Sequence, residues 1–243
     1  MKLFKFKRFE INQDKCAMKI GTDGVLLGAW ASLPENTYSV LDIGAGTGVI
    51  ALMLAQRSDA ENIEAIELDE QAFEQCTENF ENSPWADRLF CFHAGFDEFV
   101  DEYTGENLEE LDLYDVIVSN PPFYAEEVSS GDMARDTARQ NSSLPFEELI
   151  SGVSKLLALE GVFSTIIPFK EEEKFIKLAI NKTLFPIRIT RVKGHENSDF
   201  KRSLITFSFK KTDIFIDEFV IEKERNIYTE DYIALTKDFY LKM

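Results

Sequence analysis

The stretch Leu41-Asp42-Ile43-Gly44-Ala45-Gly46-Thr47-Gly48 joins an apolar run at residues 39–43 to a helical pattern at residues 49–57. A strand feeding a helix through glycines is a βα corner. Residues without a Cβ let the chain turn tightly there and let a ligand lie against bare main chain. The spacing is G-x-G-x-G, and Ile50 and Ala51 supply no later glycine, so the dinucleotide fingerprint G-x-G-x-x-G is not met. Asp42 stands directly before the turn, where a carboxylate suits an ammonium group and repels a pyrophosphate. Asp42, Gly44, Gly46 and Gly48 are expected to hold a small ligand that lacks phosphates.

Outward from this corner, short apolar runs alternate with helical stretches. Strands are predicted at residues 39–43, 63–67, 89–93, 114–119 and 162–167, with helices at 49–57, 70–80 and 144–157. Alternation of this kind indicates βαβ units and a mostly parallel sheet covered on both faces, a doubly wound α/β fold. Residues 187–192 and 203–209, joined by the polar loop 194–201, read as antiparallel edge strands. Before the sheet, residues 21–33 form a helix with Thr22 and Asp23 as capping types, ended by Pro34; Thr229 caps a last helix running to residue 240. The acidic stretch 97–112 reads as a solvated face. Residues 1–243 are expected to form one domain, with 1–34 a basic segment and helix packed on it.

A chain of 243 residues with 44% hydrophobic side chains and 21 phenylalanines has the material for a large core, which argues against disorder despite a net charge of −18. No apolar run is long enough to span a bilayer, and the amino terminus MKLFKFKRFE lacks the apolar region of a secretory signal. A cytoplasmic protein with no membrane partner is expected. Three cysteines in no CxxC spacing and two histidines predict neither a disulfide framework nor a metal site. The charge is uneven: residues 1–20 hold six basic side chains against two acids, and residues 182–211 hold eight against two. Two basic segments on an acidic body either converge on one face and grip phosphates or are solvated surface.

Two further places carry chemistry. Glu67 closes the second strand, where a carboxylate can accept the hydroxyl hydrogens of a ribose. Ser119-Asn120-Pro121-Pro122-Phe123-Tyr124 follows the fourth strand. Consecutive prolines keep the backbone extended and out of the sheet ladder, so an amide side chain, a free carbonyl and an aromatic ring are presented together. An exocyclic NH2 donates two hydrogen bonds, which the Asn120 side-chain oxygen and the Pro121 carbonyl can accept while Phe123 stacks on the ring. His93, after an apolar strand, reads as structural; His195 lies among basic residues of the polar loop.

The corner at Asp42–Gly48, Glu67 and the Asn120–Phe123 turn together resemble class I S-adenosylmethionine-dependent methyltransferases that modify amino nitrogens. More narrowly, Cys16-Ala17-Met18-Lys19-Ile20-Gly21-Thr22-Asp23-Gly24-Val25-Leu26-Leu27-Gly28-Ala29-Trp30 and the closing segment from Tyr228-Thr229-Glu230-Asp231-Tyr232 to Phe239-Tyr240-Leu241 are similar to the bacterial tRNA1(Val) adenine-N6 methyltransferases. The resemblance implies a Rossmann-like class I methyltransferase sheet and methyl transfer from S-adenosylmethionine to N6 of the adenine 3′ of the anticodon in a valine tRNA, with no obligate protein partner. It implies catalysis by Asn120, Pro121, Pro122 and Phe123. Asp42, Gly44, Gly46, Gly48 and Glu67 would hold the cofactor together with Thr22 and Asp23. The acid often found after the third strand to face the cofactor adenine is absent before Asp97, so that contact is left unassigned.

Adenine N6 is a poor nucleophile because its lone pair is delocalised into the ring. Orientation by Asn120 and Pro121 is expected to supply most of the catalysis, after the base is splayed from the anticodon loop and stacked on Phe123 or Tyr124. If the two basic segments form one face, Lys5, Lys7, Lys201 and Arg202 are expected to contact tRNA phosphates there. Methylation of a protein glutamine amide, methylation of guanine N2 in ribosomal RNA and a non-catalytic cofactor-binding module are the competing readings.

Overall fold

The computed structural model describes residues 3–105, 112–121 and 144–242. Its centre is β3 (Ser39–Ile43), buried at all five positions, flanked in parallel by β4 (Asn62–Glu67) and β6 (Tyr114–Ser119). Beyond β4 lies β5 (Leu89–His93). Beyond β6 come β7 (Leu157–Pro168), β9 (Phe200–Ser208), β8 (Phe185–His195), β10 (Phe215–Glu224) and the two-residue β11 (Ile227–Tyr228), completing a nine-stranded sheet. The chain runs outward from β3 to β5 and then returns to add β6 on the other side of β3. Strand order therefore reverses between β3 and β6, and the crevice at their carboxyl ends is where open α/β sheets bind ligands.

Buried side chains alternate between two cores, as the period of a strand requires. Val116 and Val118 of β6 face one core, with α1 (Thr22–Trp30) and α2 (Val49–Arg57), while Ile117 between them faces the other. Helix α2 is buried from Val49 to Ala55 because the sheet covers one side and α1 the other. A Cβ on Gly28 would lie 2.8 Å from Met53 Sδ, so the two helices touch through a residue that has none. Helix α3 (Glu70–Glu81) completes this layer over β4 and β5, and α7 (Glu230–Thr236) covers β10. The opposite layer holds α4 (Phe96–Gly105), α5 (Phe146–Leu156) and α6 (Glu172–Asn181).

The predicted strands and helices of the first βα units stand where expected, and three differences have physical causes. Strand β9 is not at an edge: it lies antiparallel between β7 and β8, and the edge is β11, antiparallel to β10. The acidic stretch expected to be a solvated face begins as α4, whose acids point outward while Phe96 and Val100 are buried. Strand β10 was not expected because Phe215–Glu224 is exposed or half-buried throughout, leaving no clean apolar alternation. At the amino terminus β1 (Phe4–Lys5) and β2 (Glu10–Ile11) form a hairpin tied to the carboxyl-terminal segment by the Phe6–Tyr240 bridge. Among the described residues no helix is long and apolar enough to cross a membrane.

Helices α4 and α5 meet at Gly152, where an added Cβ would overlap the Phe96 ring and approach Val100 Cγ2 to 2.9 Å. Replacing Gly152 by alanine is expected to lower the unfolding free energy by about 1–2 kcal/mol, the cost of overpacking less the gain in helix propensity. Urea denaturation measures it; wild-type stability would mean that α4 yields without cost.

Candidate active site

The turn after β3 is made of three glycines with left-handed backbones, Gly44 at φ 74°, Gly46 at φ 57° and Gly48 at φ 77°. Gly44 and Ala45 both donate to the Ile66 carbonyl, at 2.9 and 3.0 Å, which pins the turn to the end of β4. Glu67 completes the tie: Oε2 accepts from the Gly46 N–H at 2.7 Å and Oε1 from the Asp69 N–H at 2.9 Å. A Cβ at Gly44 or Gly46 would meet nothing within 4 Å, so bare main chain faces open space at both. Gly48 differs. Its Cβ position lies 2.6 Å from Phe80 Cε1 and 2.9 Å from Cys76 Sγ, so this glycine lets α3 pack closely rather than facing a ligand.

Asp42 is fully buried beneath the turn. Its Oδ2 accepts from the Ala51 N–H at 3.1 Å in the first turn of α2, a placement that the positive end of a helix favours. Its Oδ1 is buried with no hydrogen-bond partner among the described residues. Burial pushes the Asp42 pKa from its ordinary 3.8 up to about 7; the Ala51 N–H opposes the rise and the charge of Glu67 adds to it. A carboxylate with an orphaned oxygen beside open glycine backbone fits a cationic ligand of the S-adenosylmethionine type.

Opposite this turn, Ile43 and Ser119 are register partners, and the Ser119 hydroxyl donates to the Ile43 carbonyl at 3.0 Å. The next residues, Gly44 and Asn120, therefore leave adjacent strands side by side at the crevice. Thr165 of β7 donates to the Ser119 carbonyl at 2.9 Å, which fixes the strand end from its other side. Asn120 is half-buried and Pro121 buried. Pro122, Phe123 and Tyr124 lie outside the described residues.

Thr22 and Asp23 open α1, and the Asp23 carboxylate accepts from Arg202 Nε at 2.7 Å. This pair joins a residue expected at the cofactor to one expected at the RNA. Lys7 and Arg202 stand at opposite ends of α1. Lys7 donates to the Lys237 carbonyl at 2.5 Å and lines a groove with Ala29 and Arg57, at the carboxyl-terminal ends of α1 and α2. Arg202 sits at the other end of α1, which nine residues make about 13 Å long. Lys5 pairs with Glu10 within the hairpin, and Lys201 is exposed next to Arg202. His93 is structural: its Nε2 bonds the Leu68 carbonyl at 3.0 Å and its ring stacks on Phe73.

Two buried residues of α3 were missed in the sequence. Asn79 donates to the carbonyls of Thr47 and Asn12, both at 2.9 Å, and accepts from the Asn12 N–H; Gln75 accepts from the Lys15 N–H. Together they drape the amino-terminal segment beside the glycine turn. The signal was present as two polar residues on the buried stripe of an amphipathic helix.

With this geometry in place, known proteins give a consistent comparison. The model of the methyltransferase small domain matches residues 24–144. A "predicted O-methyltransferase" from Agrobacterium tumefaciens superposes with a TM-score of 0.66 at 19% identity, covering 89% of this chain and 96% of that one. The ribosomal protein L11 methylase from Lactobacillus delbrueckii subsp. bulgaricus gives 0.50 at 14% identity, with 76% of each chain covered. The fold and its turn define a class I S-adenosylmethionine-dependent methyltransferase. The tRNA1(Val) (adenine(37)-N6)-methyltransferase of Flavobacterium johnsoniae is 58% identical over 99% of this chain and 100% of its own, and that of Bacteroides fragilis 43% over 99% and 98%. The chain belongs to the tRNA1(Val) (adenine(37)-N6)-methyltransferase family.

The raised Asp42 pKa sets a pH dependence. In the unfolded chain the carboxyl titrates near its ordinary 3.8, so its contribution to stability is fully present below about pH 4 and is lost as pH rises through about 7. Asp42→Asn is expected to remove this part of the decline. Thermal melts of both proteins without cofactor between pH 4 and 8 measure it, and parallel curves would contradict the assignment.

Proposed function

We propose that this chain transfers the methyl group of S-adenosylmethionine to N6 of adenine 37 in tRNA1(Val). The observation that carries this reading is the register of Ile43 with Ser119, which sets the glycine turn beside Asn120 and Pro121 in a chain 58% identical along its whole length to a relative named for that reaction. S-adenosylmethionine supplies a methyl carried on a sulfonium, electrophilic enough for direct transfer to nitrogen.

The residues divide the work. Gly44 and Gly46 offer bare backbone, Asp42 offers a carboxylate oxygen that has no partner among the described residues, and Thr22 and Asp23 close the near side. Glu67 spends one lone pair of each oxygen on the turn, and a carboxylate retains capacity for two ribose hydroxyls. The Asn120 oxygen and the Pro121 carbonyl accept the two N6 hydrogens of the adenine, drawing its lone pair out of conjugation and aiming it at the methyl. Phe123 and Tyr124, the next aromatic residues in the sequence, are assigned the stacking of the base splayed from the loop. Lys201 and Arg202 stand on the edge that receives the RNA, whereas Lys5 and Lys7 reach only its more distant phosphates. The chain works in the cytoplasm as one domain, without an obligate protein partner.

The reading is tested by incubating the protein and cofactor with tRNA1(Val) transcript, the same transcript carrying guanine in place of the target adenine, ribosomal RNA and release factors. N6-methyladenosine is expected in the first substrate alone. Methylated guanine or glutamine would replace the reading with one of its rivals. Glu67→Ala is expected to weaken cofactor binding by about 1–3 kcal/mol, read by calorimetric titration. Asn120→Ala is expected to lose most turnover while its cofactor affinity stays near wild type, and wild-type turnover would remove the mechanism.

A further inference from the structure

Where β7, β9 and β8 reach the carboxyl edge of the sheet, four side chains stand in a row. The Arg191 guanidinium lies 5.6 Å from the centre of the Phe169 ring, Phe169 lies 5.1 Å from Phe200, and Lys193 Nζ lies 4.4 Å from the centre of Phe200. The row is braced from behind. Glu172 accepts from Arg191 Nη2 at 2.7 Å and from the Ser203 hydroxyl at 2.5 Å, and Glu218 accepts from Lys193 at 3.0 Å. Each cation is thus matched by a carboxylate, so the row does not act as a phosphate grip. Both rings are half-buried just past the end of β7 and at the start of β9, outside the two main cores, each with a cation over one face.

Its position relates it to the active site. Thr165 of β7 is level with Ser119, so Pro168, the last residue of β7, stands about 10 Å beyond Ser119 along the neighbouring strand, and Phe169 follows it at the start of a short 3-10 helix. Phe200 opposes Lys193 in the β8–β9 register, two residues from Arg202, which itself opposes Pro168. When a base is splayed out of a loop, its neighbours lose a stacking partner, and unpaired bases are commonly received on aromatic faces. We propose that Phe169 and Phe200 form a platform on which an unpaired base adjacent to the target adenine stacks. This rests on the RNA reading above and assigns the platform to the flanking nucleotide, leaving the target base to the Asn120 turn. The paired cations hold the rings in place.

The test measures affinity for an anticodon stem-loop RNA and for two versions made abasic at the nucleotide 5′ or 3′ of the target, using wild type, Phe169→Leu, Phe200→Leu and Phe200→Tyr. Leucine keeps the buried volume and loses the aromatic face; tyrosine keeps the face. The leucine variants are expected to bind the intact RNA on the order of tenfold more weakly with unchanged S-adenosylmethionine affinity, and Phe200→Tyr to bind like wild type. One abasic RNA is expected to weaken wild type to the same extent and to cost the leucine variants nothing more. Equal abasic losses in wild type and leucine variants, or wild-type affinity in both leucine variants, would overturn the platform. Coupling in binding without methylation of the adenine by wild type would leave the platform standing and defeat the adenine reading instead.

Discussion

A carboxylate enclosed by protein, with one oxygen on a helix amide and the other on no partner among the described residues, is the constraint around which this molecule is arranged. Asp42 can occupy that place because β3 is buried on both faces and its next residues turn away through glycine. An unpaired buried charge is costly, and Asp42 meets the cost by a raised pKa, which leaves it poised between protonated and ionised forms near neutrality. A cationic ligand against the glycine turn would supply the missing counter-charge. The tie between Gly46 and Glu67, and the brace from Asn79 to Thr47, keep the turn open without that ligand.

The same economy bears on how an acidic protein handles an acidic substrate. At the edge that receives RNA, Arg202 is engaged by Asp23, Arg191 by Glu172 and Lys193 by Glu218. Paired cations add little long-range attraction for phosphate, and the proposed recognition rests instead on shape, stacking and the amide-carbonyl pair at Asn120 and Pro121.

What was legible in the sequence follows from which contacts are local. The strands β3, β4 and β6 and the helices α2 and α3 were readable because each carries a compact run or stripe of apolar residues that becomes buried, and the place of Glu67 and Asn120 at the ends of strands was readable because each follows such a run. Helix α4 was obscured by eight acids within residues 97–112, although its apolar spacing was present. The roles of Asn79 and Gln75 depend on partners near residues 12–15 that are distant along the chain. The spread of the basic residues was hidden for a related reason: counting charge along the chain does not show that α1 lies between Lys7 and Arg202.

The buried carboxylate is also where the account is most directly tested. Titrating the protein with S-adenosylmethionine near pH 7 in buffers of different ionisation enthalpy counts the protons exchanged on binding. If the cationic cofactor ionises Asp42, wild type releases more protons than Asp42→Asn, and the difference shrinks as pH rises above 7. Equal proton exchange in the two proteins across that range would show that Asp42 does not answer the charge of the cofactor.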